Sequence, residues 1–293
     1  MAMDRPLSIA YTPDSDDSFY YDALEAGRVA LAGFRPTFYR EPVSVLNRAA
    51  LAGPYDITAV SSVLYPQIAE QYAILSVGTS VGRGYGPVLV SRKERPLDSL
   101  RGCRVGVGGI PSTGWFLLRL FCPEAVVIEM PFDRIAEAVV AGELEAGVMI
   151  HEELLYYPQV GLRRVVDLGA AWCRQHDLPL PVGLNVIRRD LGEAAMDRIC
   201  AAIRRSLQYA LDHTPETLAR VSRLGRGMGG GCTGRFVEMF ANADSLRMPA
   251  DVRRALRLLF GQVVEQGLAA QVPSIDIIEG SQGGRARRKA RAA

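Results

Sequence analysis

Short apolar runs alternate with amphipathic helical stretches along the first two thirds of the chain, and that alternation admits few architectures. "LSIAY" (Leu7–Tyr11) reads as a strand, Ser18–Ala26 and Val43–Leu51 as helices, and "YDITAVS" (Tyr55–Ser61) as the next strand. "YAILSVGTS" and "GPVLVSR" follow as strands. A second series opens near Leu97, with "CRVGVGG" as strand, Ser112–Leu120 as helix, "AVVIEMP" as strand and Asp133–Ala141 as helix. "EAGVMI" is then a strand that stops at His151, and "RRVVDLG" and "GLNVIRR" close the series. Beyond Asp190 the pattern turns helical, over Ala194–Asp212, Pro215–Arg223, Gly234–Ala241 and Ala250–Gly267.

Two such series with a helical last third predict an α/β chain of two lobes. Residues 1–90 with 188–280 form the first and 91–187 the second, joined by crossings near "VLVSRKERP" and "LPLPVGLNVIRR". This is the plan of a two-lobed type II periplasmic-binding-protein-like fold, with its ligand cleft between the lobes. The 293 residues, 48% hydrophobic and 23% charged, are enough for a sizeable core of ordinary globular composition.

The net charge of +2 hides an asymmetry, because the last thirteen residues (SQGGRARRKARAA) carry five basic side chains and no acid. The body is therefore mildly acidic and offers no electrostatic case for nucleic acid, while the tail, 281–293, reads as disordered. Five scattered cysteines without a CxxC pair argue against a metal cluster and for reduced thiols. No apolar stretch resembles a signal peptide or a membrane span, so a cytoplasmic protein without membrane contact is expected.

In open α/β sheets, ligands sit beyond the carboxyl ends of the strands, and the polar residues there form the candidate site. "TPDSDDSF" (Thr12–Phe19) has three aspartates in four positions, more than capping the next helix needs. Ser61 and Ser62 end another strand; they cap a helix or face the cleft. "GGIPSTGWF" opens a helix with Ser112 and Thr113, where backbone N–H groups and hydroxyls suit a carboxylate or phosphate. "GRGYGP" lacks dinucleotide-fingerprint spacing, and no P-loop, GxSxG elbow or HxH metal pair occurs. Of three histidines, His176 and His213 sit in loop-like stretches facing solvent. His151 ends a strand at the cleft, as a structural group or as an imidazole suited to proton transfer near neutral pH. Glu152 reads as local structure and Glu153 as solvent-facing.

The run Gly147–Gly192, "GVMIHEELLYYPQVGLRRVVDLGAAWCRQHDLPLPVGLNVIRRDLG", resembles the 1,4-dihydroxy-6-naphthoate synthases of menaquinone biosynthesis by the futalosine pathway. That family typically shows IHE, then GL, VDLG, a tryptophan, a GLP(I/L)PLG run and RRDL. "LNRAALAGPYDITAVS", "GRGYGP" and "FANADSL" are similar to further segments of it, so the likeness covers nearly the whole chain. The resemblance implies a periplasmic-binding-protein-like enzyme that cleaves cyclic dehypoxanthine futalosine into 1,4-dihydroxy-6-naphthoate and dihydroxyacetone. It implies no metal and no other cofactor, and a substrate that is an anionic, sugar-derived polycyclic carboxylate. His151 would be the proton acceptor. Ser112 and Thr113 match the hydroxyl pair of the second lobe, Ser61 the serine of TKLS, and Asp17 the aspartate of SPCPNDTF. Ser62 is added to the substrate-binding set from its strand-end position. Three departures stand out: Ala59 replaces the lysine of TKLS, DSDD replaces CPND, and Cys173 replaces an acidic residue common after the tryptophan.

Two other readings compete. One is a cytoplasmic solute-binding or sensor protein for a small aromatic carboxylate; the other is chorismate dehydratase, which shares the fold. Ser222–Gly234, rich in glycine, reads as a lid or a long loop.

Overall fold

The computed structural model describes residues 4–224 and 230–280. In chain order the first stretch gives β1 (Arg5–Tyr11), α1 (Ser15–Glu25), β2 (Phe34–Arg40), α2 (Val43–Ala52), β3 (Ile57–Ser61), α3 (Tyr65–Ile68), β4 (Tyr72–Leu75) and β5 (Ser80–Gly82). Next come β6 (Val88–Ser91), β7 (Arg104–Val107), α4 (Thr113–Phe121), β8 (Val126–Glu129), α5 (Phe132–Ala141), β9 (Ala146–Met149), α6 (Glu153–Tyr156), β10 (Arg163–Asp167) and α7 (Leu168–His176). The remainder is β11 (Leu180–Arg188), α8 (Glu193–Asp212), α9 (Thr214–Leu224), α10 (Gly230–Phe240), α11 (Ala243–Leu246), α12 (Ala250–Glu265) and β12 (Ile277–Ile278).

The strands form two sheets among the described residues, ordered β12-β4-β11-β3-β1-β2 (with β5 beside β11) and β10-β6-β9-β7-β8. β1 lies parallel to β2 and β3, and β7 parallel to β8 and β9. β11 and β6 run antiparallel to the neighbours they join. The apolar runs are continuous because central strands are covered on both faces. In β4, Ala73 and Leu75 join the core under α1 and α8, while Tyr72 and Ile74 join the core under α12. β2 escapes the sequence pattern because Pro36 interrupts it; as an edge strand it can lack that N–H. α7 also goes unread, although Asp167 caps it by accepting from Ala170 N–H at 2.7 Å.

The expected boundaries fall inside strands. β6 already belongs to the second sheet and all of β11 to the first, so the chain changes sheets before residue 88 and again between 167 and 180. The reason is physical: β6 and β11 are the antiparallel strands that each sheet takes from the crossing segments. The helical last third also serves both sides. On α12, Val252, Leu256 and Phe260 pack against the first sheet's core, while Ala255, Leu259 and Val263 pack with Trp115, Phe116 and Trp172 beside the second. Both sets repeat every four residues, giving one helix two apolar stripes.

The five cysteines are free thiols, and no described helix is long and apolar enough to cross a membrane. The tail at 281–293 lies outside the described residues, as does 225–229 of the glycine-rich stretch, whose flanks close α9 and open α10.

Candidate active site

The ends of β1, β3, β7 and β9 converge on one cavity between the two sheets. It spans about 710 Å³, the open solvent at its mouth included, with Asp16, Asp17, Ser61, Ser112, Thr113 and His151 in its wall. Ala59, Val60, Ile150, Leu184, Phe236 and Phe240 make the rest of that wall largely apolar. Such a mixture, apolar with a few convergent polar groups, suits an organic ligand with a ring system.

His151 follows the last residues of β9 with φ +55°, in the left-handed region that non-glycine residues rarely occupy. Its Nδ1 lies 2.7 Å from Oδ2 of Asp14, which comes from the loop between β1 and α1 on the opposite side of the cleft. The edge of the ring contact is with Phe132, centroid to centroid 4.8 Å and inclined 67°. Asp14 sits in the cap position of α1, yet its side chain makes no capping bond. Glu152 also reaches across: its Oε1 accepts from Ser15 N–H at 3.0 Å and from Ser15 Oγ–H at 2.6 Å. The HE pair of the IHE segment therefore joins the two sides of the cleft.

The other aspartates of the DSDD loop are buried beside the same cavity. Asp17 Oδ2 accepts from the N–H and hydroxyl of Thr12 at 2.9 and 2.7 Å. Burial raises its carboxyl to about 6, against the lowering effect of those two bonds and with a further push from the charge of Asp14. Asp16 accepts from Ser80 Oγ at 2.9 Å. Burial first, and then the charges of Asp17, Asp14 and Glu152, hold its carboxyl well above the usual range.

On the facing wall, Asn47 bridges the sheets. Its Nδ2 donates to Ser61 Oγ at 3.0 Å and to the Pro111 carbonyl at 2.7 Å, and its Oδ1 accepts from Ser61 N–H at 2.9 Å. Ser112 Oγ caps α4 by accepting from Trp115 N–H at 3.2 Å. Thr113 Oγ donates to the Val182 carbonyl at 2.7 Å. Asn185 holds the cavity floor, donating to the Gly78 carbonyl and accepting from the Tyr21 hydroxyl. Among the described residues no cluster of three or more His, Cys, Asp and Glu side chains is arranged to hold a metal.

A family model described as menaquinone biosynthesis matches residues 7–265. The chain belongs to the menaquinone-biosynthesis family. It is 39% identical over 268 residues to a Thermus thermophilus protein named 1,4-dihydroxy-6-naphthoate synthase, covering 91% of this chain and 97% of that one. A Streptomyces coelicolor protein of the same name is 32% identical, covering 89% and 94%. The structure of protein AF1704 from Archaeoglobus fulgidus superposes with a TM-score of 0.86 at 38% identity, covering 90% of this chain and 98% of that chain. The periplasmic aliphatic sulphonate binding protein SsuA of Escherichia coli superposes at 0.66 with 12% identity, covering 96% of each, which shows the periplasmic-binding-protein-like fold.

Within this member of the menaquinone-biosynthesis family, the structure brings His151, Asp17, Ser61, Ser112 and Thr113 to one cavity. Ser62 is not in its wall; it is fully buried at the start of a 3-10 turn, because the chain turns inward directly after β3. Glu152 bonds across the cleft instead of serving local structure, and Glu153 is buried instead of solvent-facing. His213 is exposed as expected, stacked on Tyr209. His176 instead is half-buried against Trp172 and Gln262, and burial lowers its pKa. The excess of aspartates in the DSDD loop marks Asp14 and Asp16 as a group without separating their roles, and nothing local in the sequence marks Asn47 or Asn185.

Proposed function

We propose that the protein is a carbon–carbon lyase converting cyclic dehypoxanthine futalosine to 1,4-dihydroxy-6-naphthoate and dihydroxyacetone, with His151 as general base. The observation that carries this reading is the His151 imidazole in the cleft wall, joined through Nδ1 to buried Asp14, in a chain of the menaquinone-biosynthesis family. A neutral imidazole takes a proton from a hydroxyl of the sugar-derived part of the substrate. The freed electron pair forms a carbonyl, and the adjacent carbon–carbon bond breaks with its own pair passing to the departing carbon as an enolate. The imidazolium returns its proton to that enolate, and aromatisation of the ring system draws the reaction forward.

The hydroxyls divide their work by what already occupies them. Ser61 and Ser112 accept bonds through Oγ, so each keeps its proton to donate to a substrate oxygen. Thr113 donates to Val182 and is left to accept. Donors held in place before the reaction stabilise developing negative charge without reorganising. Ala59, where the resembled family has lysine, leaves an apolar wall with Val60 for the ring system. A substrate carboxylate would then be met by hydroxyls and the first backbone N–H groups of α4.

The test is incubation of the purified protein with cyclic dehypoxanthine futalosine and detection of the naphthoate by mass spectrometry. Turnover should appear, and His151→Asn should lower it by about 10²–10⁴-fold. Binding of the substrate without any product would favour the solute-binding reading instead. Conversion of chorismate would favour the dehydratase, which the naphthoate synthase name of both curated relatives argues against.

A further inference from the structure

We propose that Asp14 is the positioning residue of His151, reaching across the cleft to hold the imidazole in the tautomer that makes Nε2 the base. For its catalytic consequence this rests on the reading of His151 given above; the tautomer itself does not depend on the identity of the substrate.

Three observations converge on it. First, the contact is short and shielded: Nδ1 and Oδ2 are 2.7 Å apart, with side-chain exposures of 15% for His151 and 0% for Asp14. A pair so enclosed keeps one geometry, whereas an exposed pair exchanges with water. Second, Asp14 gives up the bond its position offers. With extended φ/ψ at the cap of α1 it could accept from a first-turn N–H, a bond worth about 1 kcal/mol, yet its side chain makes none. Third, three neighbouring carboxylates have other partners: Asp16 meets Ser80, Asp17 meets Thr12 and Glu152 meets Ser15. Asp14, which meets the imidazole, stands where the resembled loop SPCPNDTF has cysteine.

The chemical consequence follows from donor inventory. A carboxylate only accepts, so the shared proton lies on Nδ1 and the lone pair of the neutral ring lies on Nε2. Free imidazole side chains in water favour the opposite tautomer, with the proton on Nε2. Asp14 reverses that preference, and Phe132 holds the ring against it from the side. Because Asp14 hangs from the first sheet and His151 from the second, the base is complete only when both walls are in register.

The experiment is long-range proton–nitrogen correlation NMR on the full-length protein carrying 15N-histidine, at about pH 8, above the ordinary histidine range. Only three histidines contribute, and His151→Asn assigns the signal. The proposal expects an Nδ1–H, Nε2-lone-pair pattern for His151, shifting toward the Nε2–H pattern in Asp14→Asn and Asp14→Ala. With the futalosine substrate, Asp14→Asn should lower kcat by about 10²–10⁴-fold while KM changes by less than about threefold. A wild-type ring protonated on Nε2 overturns the proposal even if neither variant folds. So does an unchanged tautomer in both variants, or an unchanged kcat. The predicted tautomer in a protein that does not turn the substrate over would support the positioning role and sink only the assigned reaction.

Discussion

Asp16 is the residue at which the site costs the fold most visibly. In the unfolded chain its carboxyl ionises near pH 4, whereas in the fold burial and three neighbouring carboxylates keep the proton on to much higher pH. The native state then binds more protons than the unfolded one, so this group's contribution to stability falls as pH rises above about 4. Asp17 behaves alike, with the loss complete near its folded value of about 6. Asparagine at position 16 can still accept from Ser80 and has nothing to ionise. Asp16→Asn should therefore raise the melting temperature by roughly 2–6 °C at about pH 8, with the gain vanishing toward about pH 4. A gain that is the same at both pH values would contradict the assignment of its cause.

At the scale of elements, the crossing between sheets depends on a close approach of two backbones. Gly86 precedes β6 and Gly169 lies in the first turn of α7. A Cβ on Gly169 would stand 2.5 Å from the Gly86 Cα and 2.6 Å from the Tyr85 carbonyl oxygen. Backbone cannot yield as a flexible side chain does, so α7 would have to move off the crossing strand. Gly169→Ala should cost about 1–3 kcal/mol, read as a lower urea midpoint with an unchanged slope. α12 makes the complementary contribution, since its two stripes tie the last third of the chain to both sheets.

Across the whole molecule, polar contacts from the same two loops span the cleft. Glu152 supplies the acceptor for the Ser15 N–H and hydroxyl, at the start of a helix whose other first-turn groups are buried. Removing it leaves a buried donor without a partner, a loss of about 1–3 kcal/mol. Glu152→Ala should lower stability by that amount and speed amide exchange in the first turn of α1. Exchange confined to α6, with α1 still protected, would show that the cross-cleft bond does not hold the walls together.

The sequence by itself determined the α/β alternation, the strand ends that carry Ser61, Ser112 and His151, and the family, because periodicity and motif spacing are local properties. It could not place β2, whose Pro36 is tolerable only on an edge that tertiary pairing defines, nor read the two stripes of α12 as two separate cores. It also gave Glu152 and Glu153 to local structure and solvent, since nothing along the chain announces that residue 15 lies across a cleft from residue 152. What only the tertiary structure decided is the partnership of residues far apart in sequence: Asp14 with His151, Ser15 with Glu152, and Asn47 with Ser61 and Pro111. Those contacts exist because two sheets bring their strand ends to one cavity, where buried polar groups from one wall meet partners from the other.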